Sequence, residues 1–295
     1  MSERLDALAA ALGETQYDRG SWHLLAQCDH ATLADAMRRA GIVADALIVD
    51  APYSERTHAG HDSQEAYDTS GAPRDNKRRQ EIGLEPLRRG IDYAAWGRAD
   101  VDAFVTAWHD RAEWLLSLTD HDLAVEWTAS LEAACRYTFA PLACVESGSR
   151  ARLLGDGPPQ WATWLVVSRP RSAAFLDLWH AKRWSHGLKP KGAYVGSCER
   201  GRAVVGGKPL WLMRAIVGDY SAPGDLVVDP CAGGGTTLVA AIELGRLAVG
   251  CEPDAGRYEI ARSRCSKARP QMRLSLDVAA EERTQSALDL TTGAR

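Results

Sequence analysis

The stretch Asp225-Leu-Val-Val-Asp229-Pro-Cys-Ala-Gly-Gly-Gly-Thr-Thr237 determines the fold class of this chain. It joins a short apolar run, typical of a buried strand, to three glycines and then to an apolar helix that continues to about residue 244. Glycines at a strand-to-helix turn let a ligand approach the backbone and present amides at the helix N-terminus. The stretch therefore predicts a cofactor site at the carboxyl end of a strand.

The spacing of the glycines argues against two well-known phosphate-binding loops. A P-loop has Lys and then Ser or Thr directly after its last glycine, whereas Gly235 is followed by Thr236 and Thr237. The dinucleotide pattern G-x-G-x-x-G is met at Gly233 and Gly235 but fails at Leu238. The loop thus indicates a ligand other than a nucleoside triphosphate or a dinucleotide.

A second apolar run, LAVGCE at 247–252, ends in an acid about twenty residues after the glycine loop. An acid at this place binds ribose hydroxyls in nucleotide-binding α/β proteins. Glu252 and Asp229 together predict a nucleoside cofactor that has a cationic end and needs no phosphate site, and S-adenosylmethionine (AdoMet) has these properties. A plain tight turn in an α/β protein is the alternative interpretation.

Strands and helices alternate along much of the chain. The apolar pattern predicts strands at 46–50, 123–127, 141–145, 161–167, 225–229 and 247–252, and helices at about 31–40, 101–118, 129–137, 209–217 and 254–268. Such alternation predicts an α/β fold with a mostly parallel sheet covered on both faces. The regular pattern breaks from about Arg171 to Gly207, and the tail after about Met272 is polar.

The second chemical feature is Asp50-Ala51-Pro52-Tyr53, directly after the apolar run at 46–50. The exocyclic amino group of a base is a poor nucleophile because its lone pair is delocalised into the ring. The Asp50 carboxylate and the Ala51 carbonyl could accept its two N–H bonds and draw the nitrogen toward tetrahedral geometry. Pro52 would fix the turn, and Tyr53 would stack on a base turned out of a duplex. An ordinary strand end with a proline turn is the alternative.

Charge is distributed unevenly along the chain. The net charge is −4, yet residues 148–214 contain twelve Lys and Arg and only three acids, an excess of 12 − 3 = +9. This asymmetry predicts a face that binds a polyanion, and a solvated charged surface is the alternative.

Composition excludes several classes of protein. The chain has 295 residues, of which 45% are hydrophobic, so it is long enough for one sizeable core. We expect no membrane span, because no apolar run approaches the required ~18 residues. We expect no secretory signal, because the N-terminal residues include acids among the apolar ones and no long apolar stretch. Seven scattered cysteines without a C-x-x-C pair predict a reduced cytoplasmic protein with neither a disulfide framework nor a metal site.

Taken together, these features resemble the amino-group DNA methyltransferases, which modify adenine N6 or cytosine N4. The stretch from Lys208-Pro-Leu through the glycine loop to Glu252-Pro-Asp and the helix 257–264 is similar to the cofactor half of that family. Residues 22–29 and the turn at 50–53 resemble its catalytic half. Their position before the glycine loop resembles the beta order of the family, in which a target-recognition segment occupies the middle of the chain.

The resemblance implies a Rossmann-like, mostly parallel, seven-stranded AdoMet-dependent methyltransferase sheet with a small inserted target-recognition segment. It divides the chain into a catalytic half at 1–170, a target-recognition insert at 171–207, an AdoMet-binding half at 208–270 and a partly disordered tail at 271–295. The implied catalytic residues are Asp50, Ala51, Pro52 and Tyr53. The implied cofactor-binding residues are Asp29, Lys208, Asp229, Pro230, Cys231, Ala232, Gly233, Gly235, Thr236 and Glu252, with Lys208 beside the methionine moiety.

The implied activity is site-specific methylation of DNA, with adenine N6 favoured because the turn begins with aspartate and the cytosine enzymes more often begin it with serine. Cytosine-N4 methylation, methylation of RNA or of a protein amide, and DNA binding without catalysis are the alternatives. Two positions depart from the family pattern, since Ala51 replaces a proline and Cys231 replaces an aromatic residue. The implied partners are DNA and a restriction endonuclease, for a cytoplasmic monomer or homodimer.

Overall fold

The fold was analysed in a computed structural model that describes residues 2–62, 93–147, 162–197, 202–204 and 206–271. The predicted tail at 272–295 and parts of the predicted recognition insert, 198–201 and 205, lie outside the described residues. The strands are β1 Tyr17–Arg19, β2 His23–Ala26, β3 Ala44–Asp50, β4 Ala112–Thr119, β5 Arg136–Thr138, β6 Leu142–Ser147, β7 Ala162–Pro170, β8 Ala193–Ser197, β9 Leu226–Asp229 and β10 Leu247–Cys251.

Helices connect most of these strands. In the described parts of the chain they are α1 Glu3–Leu12, α2 His30–Arg39, α3 Glu55–Asp62, α4 Arg98–Trp108, α5 His121–Ala133, α6 Ala173–His186, α7 Leu210–Tyr220, α8 Thr236–Glu243 and α9 Ala255–Lys267. None of these helices is long and apolar enough to cross a lipid bilayer.

All ten described strands belong to one sheet, in the order β1-β2-β10-β9-β3-β4-β7-β6-β8, with β5 paired to β7. Strands β2, β10, β9, β3 and β4 are parallel neighbours, and β7 runs against both β4 and β6. The seven strands from β2 to β6 in this order therefore form a mostly parallel sheet with one reversed strand. This arrangement confirms the predicted fold class, and β1, β5 and β8 extend it.

Both faces of the sheet are covered by helices. Along β3, Leu47 and Val49 pack into a core with α1, α2, α4 and α5, whereas Ala46 and Ile48 pack into a second core with α7, α8 and α9. Successive side chains of a strand point to opposite faces, so the continuous apolar run of β3 supplies both cores. The result is a three-layer α/β/α arrangement.

Two predicted elements were wrong. The predicted helix at 101–118 ends at Trp108, and 112–119 form β4. The apolar residues of β4 continue the helical spacing of α4 by chance, because a strand buried on both faces has no alternation of its own. The predicted strand at 123–127 lies inside α5, which begins where the Asp120 carboxylate accepts a hydrogen bond from the Leu123 amide at 3.0 Å.

The predicted recognition insert is more regular than its sequence pattern indicated. Its first half is α6, whose Phe175 and Trp179 rings pack edge-on against Trp114 of the sheet. The Lys182 ammonium of α6 lies 2.9 Å from carboxylate oxygens of both Asp45 and Asp225. Asp45 is the second residue of β3, and Asp225 directly precedes β9. Helix α6 therefore ends at the amino edge of the sheet, opposite the ends that carry Asp50 and Asp229. Its second half includes β8, which pairs with β6.

A buried arginine of β5 joins the reversed strand β7 to the start of the parallel strand β4. Arg136 is 3% exposed, and its guanidinium donates to the carbonyls of His109, Ala112 and Glu113 and to both the hydroxyl and the carbonyl of Ser168. Burial lowers the pKa of Arg136 to about 10, so it remains charged at neutral pH. The turn between α4 and β4 therefore depends on one side chain from β5.

We expect Arg136→Met to lower the free energy of unfolding by about 3–5 kcal/mol, because several buried carbonyls lose their donor at once. Chemical denaturation of the full chain measures this change. Arg262→Met, which removes an exposed i,i+3 ion pair with Glu259 on α9, is the control and should shift the denaturation midpoint far less. Equal effects of the two substitutions would contradict the assigned role of Arg136.

Candidate active site

The site lies where the sheet changes its direction of winding. Strands β3 and β9 are adjacent, yet the chain continues from β9 to β10 on one side and from β3 to β4 on the other. Ligands of open α/β sheets bind in the crevice beyond the carboxyl ends of the strands at such a switch point. The residues at these two ends are Asp50 and Asp229, so the topology brings the two predicted motifs together.

A pocket of about 360 Å³ opens at this crevice, a volume within the usual range for small-molecule sites. Eleven of the predicted site residues line it: Asp29, Asp50, Pro52, Lys208, Asp229, Pro230, Cys231, Ala232, Gly233, Thr236 and Glu252. Three predicted residues, Ala51, Tyr53 and Gly235, are not part of its wall. The structure thus brings together most of the predicted cofactor residues with the first residue of the catalytic turn.

Asp229 is the most strongly perturbed acid of the pocket. Its carboxylate is 2% exposed and accepts hydrogen bonds from the Cys231 amide, at 3.0 Å, and from Thr237. Burial, together with the neighbouring carboxylates of Asp50 and Glu252, raises the pKa of Asp229 to about 7 despite those hydrogen bonds. An acid with this pKa favours a cationic ligand, because a positive charge would offset both its burial and its acidic neighbours.

Glu252 fastens the glycine loop to the end of β10. One carboxylate oxygen accepts the Gly233 amide at 3.0 Å, and the other accepts the Asp254 amide at 3.0 Å and the Arg257 Nε at 3.2 Å. Three donors leave at least one lone pair of the nearly buried carboxylate for a ligand in the pocket. Arg257 is a site residue that the sequence analysis missed. Its position in the first turn of α9, three residues after the helix-capping Asp254, is the signal that could have placed it near Glu252.

The remaining glycines of the loop have structural roles. Gly235 has a φ of +74°, and a Cβ there would lie 3.0–3.1 Å from Ala261 of α9. Gly234 lies beneath Ala203 and Val204 of the segment that precedes Lys208. Gly235 therefore allows α8 and α9 to pack closely, and, unlike the other nine predicted cofactor residues, it does not line the pocket.

The Asp50 carboxylate is paired with Lys208. The ammonium lies 2.7 and 2.8 Å from the two carboxylate oxygens, 3.3 Å from the Gly206 carbonyl and 4.7 Å from the centre of the Tyr53 ring. Lys208 lines the same pocket as the predicted cofactor residues, and its charge is paired with the first residue of the acid-x-Pro-Tyr turn. Burial raises the pKa of the Tyr53 hydroxyl well above its usual value, so this side chain remains neutral.

The far wall of the pocket is formed by α2 and the start of α4. Asp29 caps α2 by accepting the Thr32 amide at 2.8 Å, which lowers the pKa of its carboxyl. His30 contacts Trp96 with a ring separation of 5.9 Å, and burial lowers its pKa so that the imidazole is neutral at pH 7. Trp96, Asp100 and Ala103 also line the pocket. Their i, i+4, i+7 spacing could have indicated a shared helical face, but nothing local indicated its partner.

The predicted basic face is neutralised in part by neighbouring acids. Five of the basic residues between 148 and 214 form ion pairs with acids outside that segment, so for these five the expectation of a free polyanion-binding surface was wrong. The pairs are Lys182 with Asp45 and Asp225, Lys191 with Asp219, Arg202 with Glu146, Lys208 with Asp50, and Arg214 with Glu243. Charge counted along the sequence overestimates surface charge when the fold supplies the counter-ions.

Comparison with known proteins gives one family and several related folds. The family model for N6/N4 DNA methylases matches residues 144–263. A Type II methyltransferase, M.HindIII of Haemophilus influenzae, is 46% identical over 57 residues, which are 19% of this chain and 18% of that protein. The match to this relative thus spans about a fifth of its length.

Two solved structures share the fold. The crystal structure of the M1.HpyAVI–SAM complex superposes with a TM-score of 0.54 at 14% identity, over 82% of this chain and 98% of that one. The cytosine-N4-specific PvuII DNA methyltransferase superposes with a TM-score of 0.50 at 11% identity, over 83% of this chain and 86% of that one. The family model and the curated relative confirm the resemblance predicted from the motifs, and the part of this chain that the model matches, residues 144–263, is similar to the amino-group (N6/N4) DNA methyltransferases.

Proposed function

We propose that this protein transfers the methyl group of AdoMet to the exocyclic amino group of a base in DNA, with adenine N6 as the favoured target. The observation that carries the proposal is the shared pocket, in which Asp50 of the acid-x-Pro-Tyr turn and the loop after Asp229 lie at adjacent strand ends. The match of residues 144–263 to the family model for N6/N4 DNA methylases supports the reaction class. The aspartate that begins the turn supports adenine over cytosine.

The pocket suits AdoMet by charge and by size. Asp50, Asp229 and Glu252 surround a space of about 360 Å³, and the two buried acids of this group favour a ligand with a positive charge and ribose hydroxyls. The neighbour solved with SAM supports the same cofactor. When bound, AdoMet would supply an electrophilic methyl group on a sulfonium. Glu252 would bind its ribose, and Asp229 would lie near its cationic end.

The catalytic turn would then bind the reacting amino group. The Asp50 carboxylate and the Ala51 carbonyl would accept its N–H bonds, and the Tyr53 ring would stack on the extruded base. The Lys208 ammonium would have to leave Asp50 as the base enters, since it occupies the same acceptor. The methylated amino group is acidic enough to release its proton, so the turn needs no strong general base.

The target and biological setting are also part of this proposal. The Type II relative supports a role beside a restriction endonuclease. Val204, Gly206 and Gly207 of the predicted insert line the pocket, so they are better placed for target recognition than α6, which ends at the amino edge of the sheet. Expression in a host without DNA methylation, followed by sequencing with base-modification detection, tests the function and separates N6-methyladenine from N4-methylcytosine. Unmodified DNA in that host, together with transfer of the AdoMet methyl group to RNA or protein, would contradict the proposed function.

Asp50→Asn should lower the rate of methyl transfer at least about a hundredfold, because a weaker acceptor binds the amino group in the transition state. AdoMet affinity, measured by calorimetry, should change no more than about threefold. Asp45→Asn, at the opposite end of the same strand, is the matched control and should keep the wild-type rate. A loss of AdoMet binding in Asp50→Asn would contradict the role assigned to Asp50, because it would show that Asp50 binds the cofactor rather than the reacting amino group.

Glu252→Gln should weaken AdoMet binding by about 1–3 kcal/mol, the usual contribution of a hydrogen bond to a charged group. Titration calorimetry gives the change directly. Glu259→Gln, an exposed acid on α9, is the control and should bind AdoMet like the wild type. An unchanged dissociation constant in Glu252→Gln would exclude Glu252 from the cofactor site.

AdoMet affinity should rise about tenfold between pH 5.5 and pH 7, because the pKa of Asp229 is about 7 and only its ionised form attracts the cationic ligand. The sign follows from the raised pKa, since binding a cation at low pH must release the proton that Asp229 holds. Calorimetry in buffers of different ionisation enthalpy measures that proton release. Asp229→Asn should bind weakly with no pH dependence over this range, and a persisting dependence would assign the titration to another group.

A further inference from the structure

The catalytic turn departs from the family pattern at Ala51, which lacks the fixed φ of a proline. One end of the turn is nevertheless rigid, because Asp50 belongs to β3, whose pairing with β4 extends to Asp50 opposite Leu118. The other end is Ser54, which directly follows Tyr53. Whatever fixes Ser54 fixes the direction of the three residues between the two ends, including the Ala51 carbonyl.

Ser54 is fixed by a buried carboxylate from the next strand. Asp120, which follows β4 and is 4% exposed, accepts the Ser54 amide at 2.9 Å, the Ser54 hydroxyl at 2.6 Å and the Thr57 hydroxyl at 2.6 Å on one oxygen. Its other oxygen accepts the Leu123 amide. The two donor residues, Ser54 and Thr57, are themselves buried. Capping α5 needs only the hydrogen bond from Leu123, so the other three hydrogen bonds serve to hold Ser54 and Thr57.

A second contact fixes the same segment from another direction. The Trp96 amide donates to the Tyr53 carbonyl at 3.0 Å, just before α4 begins. Burial of Asp120 alone would raise its pKa, but the hydrogen bonds from Ser54 and Thr57 outweigh burial and the pKa is lowered. Asp120 is thus a charged acceptor at neutral pH, and charge-assisted hydrogen bonds of this kind are about twice as strong as neutral ones.

We propose that Asp120 is the positioning residue of the catalytic turn, and that its hydrogen bonds to Ser54 and Thr57 supply the rigidity that Ala51 does not. The proposal rests on the proposed function. Asp120 touches neither the pocket nor the reacting atoms, so it acts through the direction of Ala51 and Tyr53. A displacement of about 1 Å in such a group costs up to a hundredfold in rate.

The test compares Thr57→Val, Thr57→Ser and Asp120→Asn, with Thr128→Val as control. Thr128 donates a hydroxyl hydrogen bond to the Ala124 carbonyl on α5 and lies away from the turn. We expect kcat for methyl transfer to fall about tenfold in Thr57→Val and further in Asp120→Asn, with the KM for AdoMet within about twofold of wild type. Thr57→Ser should restore kcat, and Thr128→Val should not change it. Wild-type kcat in Thr57→Val, or a parallel loss of AdoMet binding, would overturn the proposal.

Amide hydrogen exchange provides a readout that does not depend on activity. In Thr57→Val the amides of Ala51, Tyr53 and Ser54 should exchange about tenfold faster than in wild type, Thr57→Ser and Thr128→Val. Unchanged exchange overturns the proposal, whether or not the protein methylates DNA. A wild-type protein without methyl transfer but with the expected exchange would instead overturn the proposed function. If Asp120→Asn does not fold, the Thr57 pair decides.

Discussion

The site depends on one tertiary constraint, the parallel pairing of β3 with β9. These strands come from opposite ends of the chain, and their register places Ala46 beside Val227 and Leu47 beside Val228. This register puts Asp50 and Asp229 at the same edge of the sheet. At the opposite edge, Lys182 lies between Asp45, the second residue of β3, and Asp225, which directly precedes β9. A shift of one residue would exchange the side chains of β3 between the two cores, whose shapes they would no longer fit, and would misplace Asp50.

The charges of the pocket follow from this geometry. The carboxylates of Asp50, Asp229 and Glu252 converge on one small space, and within the described ranges Lys208 pairs with Asp50 and Arg257 with Glu252. Burial and mutual repulsion leave Asp229 with a raised pKa, so the protein without a ligand stores an unfavourable electrostatic arrangement. A cationic ligand relieves it. The same argument explains why Lys208 lies on Asp50, since an unpaired carboxylate beside two others would be costly in a partly buried site.

The sequence predicted the parts of the fold and site that depend on local pattern. The glycine loop, both strand-terminal acids and the acid-x-Pro-Tyr turn were identified because their chemistry is carried by neighbouring residues. The α4–β4 region was mispredicted because a strand buried on both faces has no alternation to distinguish it from a helix. The ion pair of Lys208 with Asp50 and the contacts of Asp120 with Ser54 and Thr57 join residues far apart in the chain. For five basic residues of the segment 148–214 the sequence overestimated the free charge for the same reason, because their counter-ions lie elsewhere in the chain.

The central claim is that Asp50 and the glycine loop act on one bound cofactor. A crystal structure of the protein with S-adenosylhomocysteine tests it most directly. The account predicts the ribose against Glu252 and the sulfur directed toward the Asp50 carboxylate, with space for an amino group between them. A ligand bound with its sulfur turned away from Asp50, or bound outside this pocket, would contradict the account.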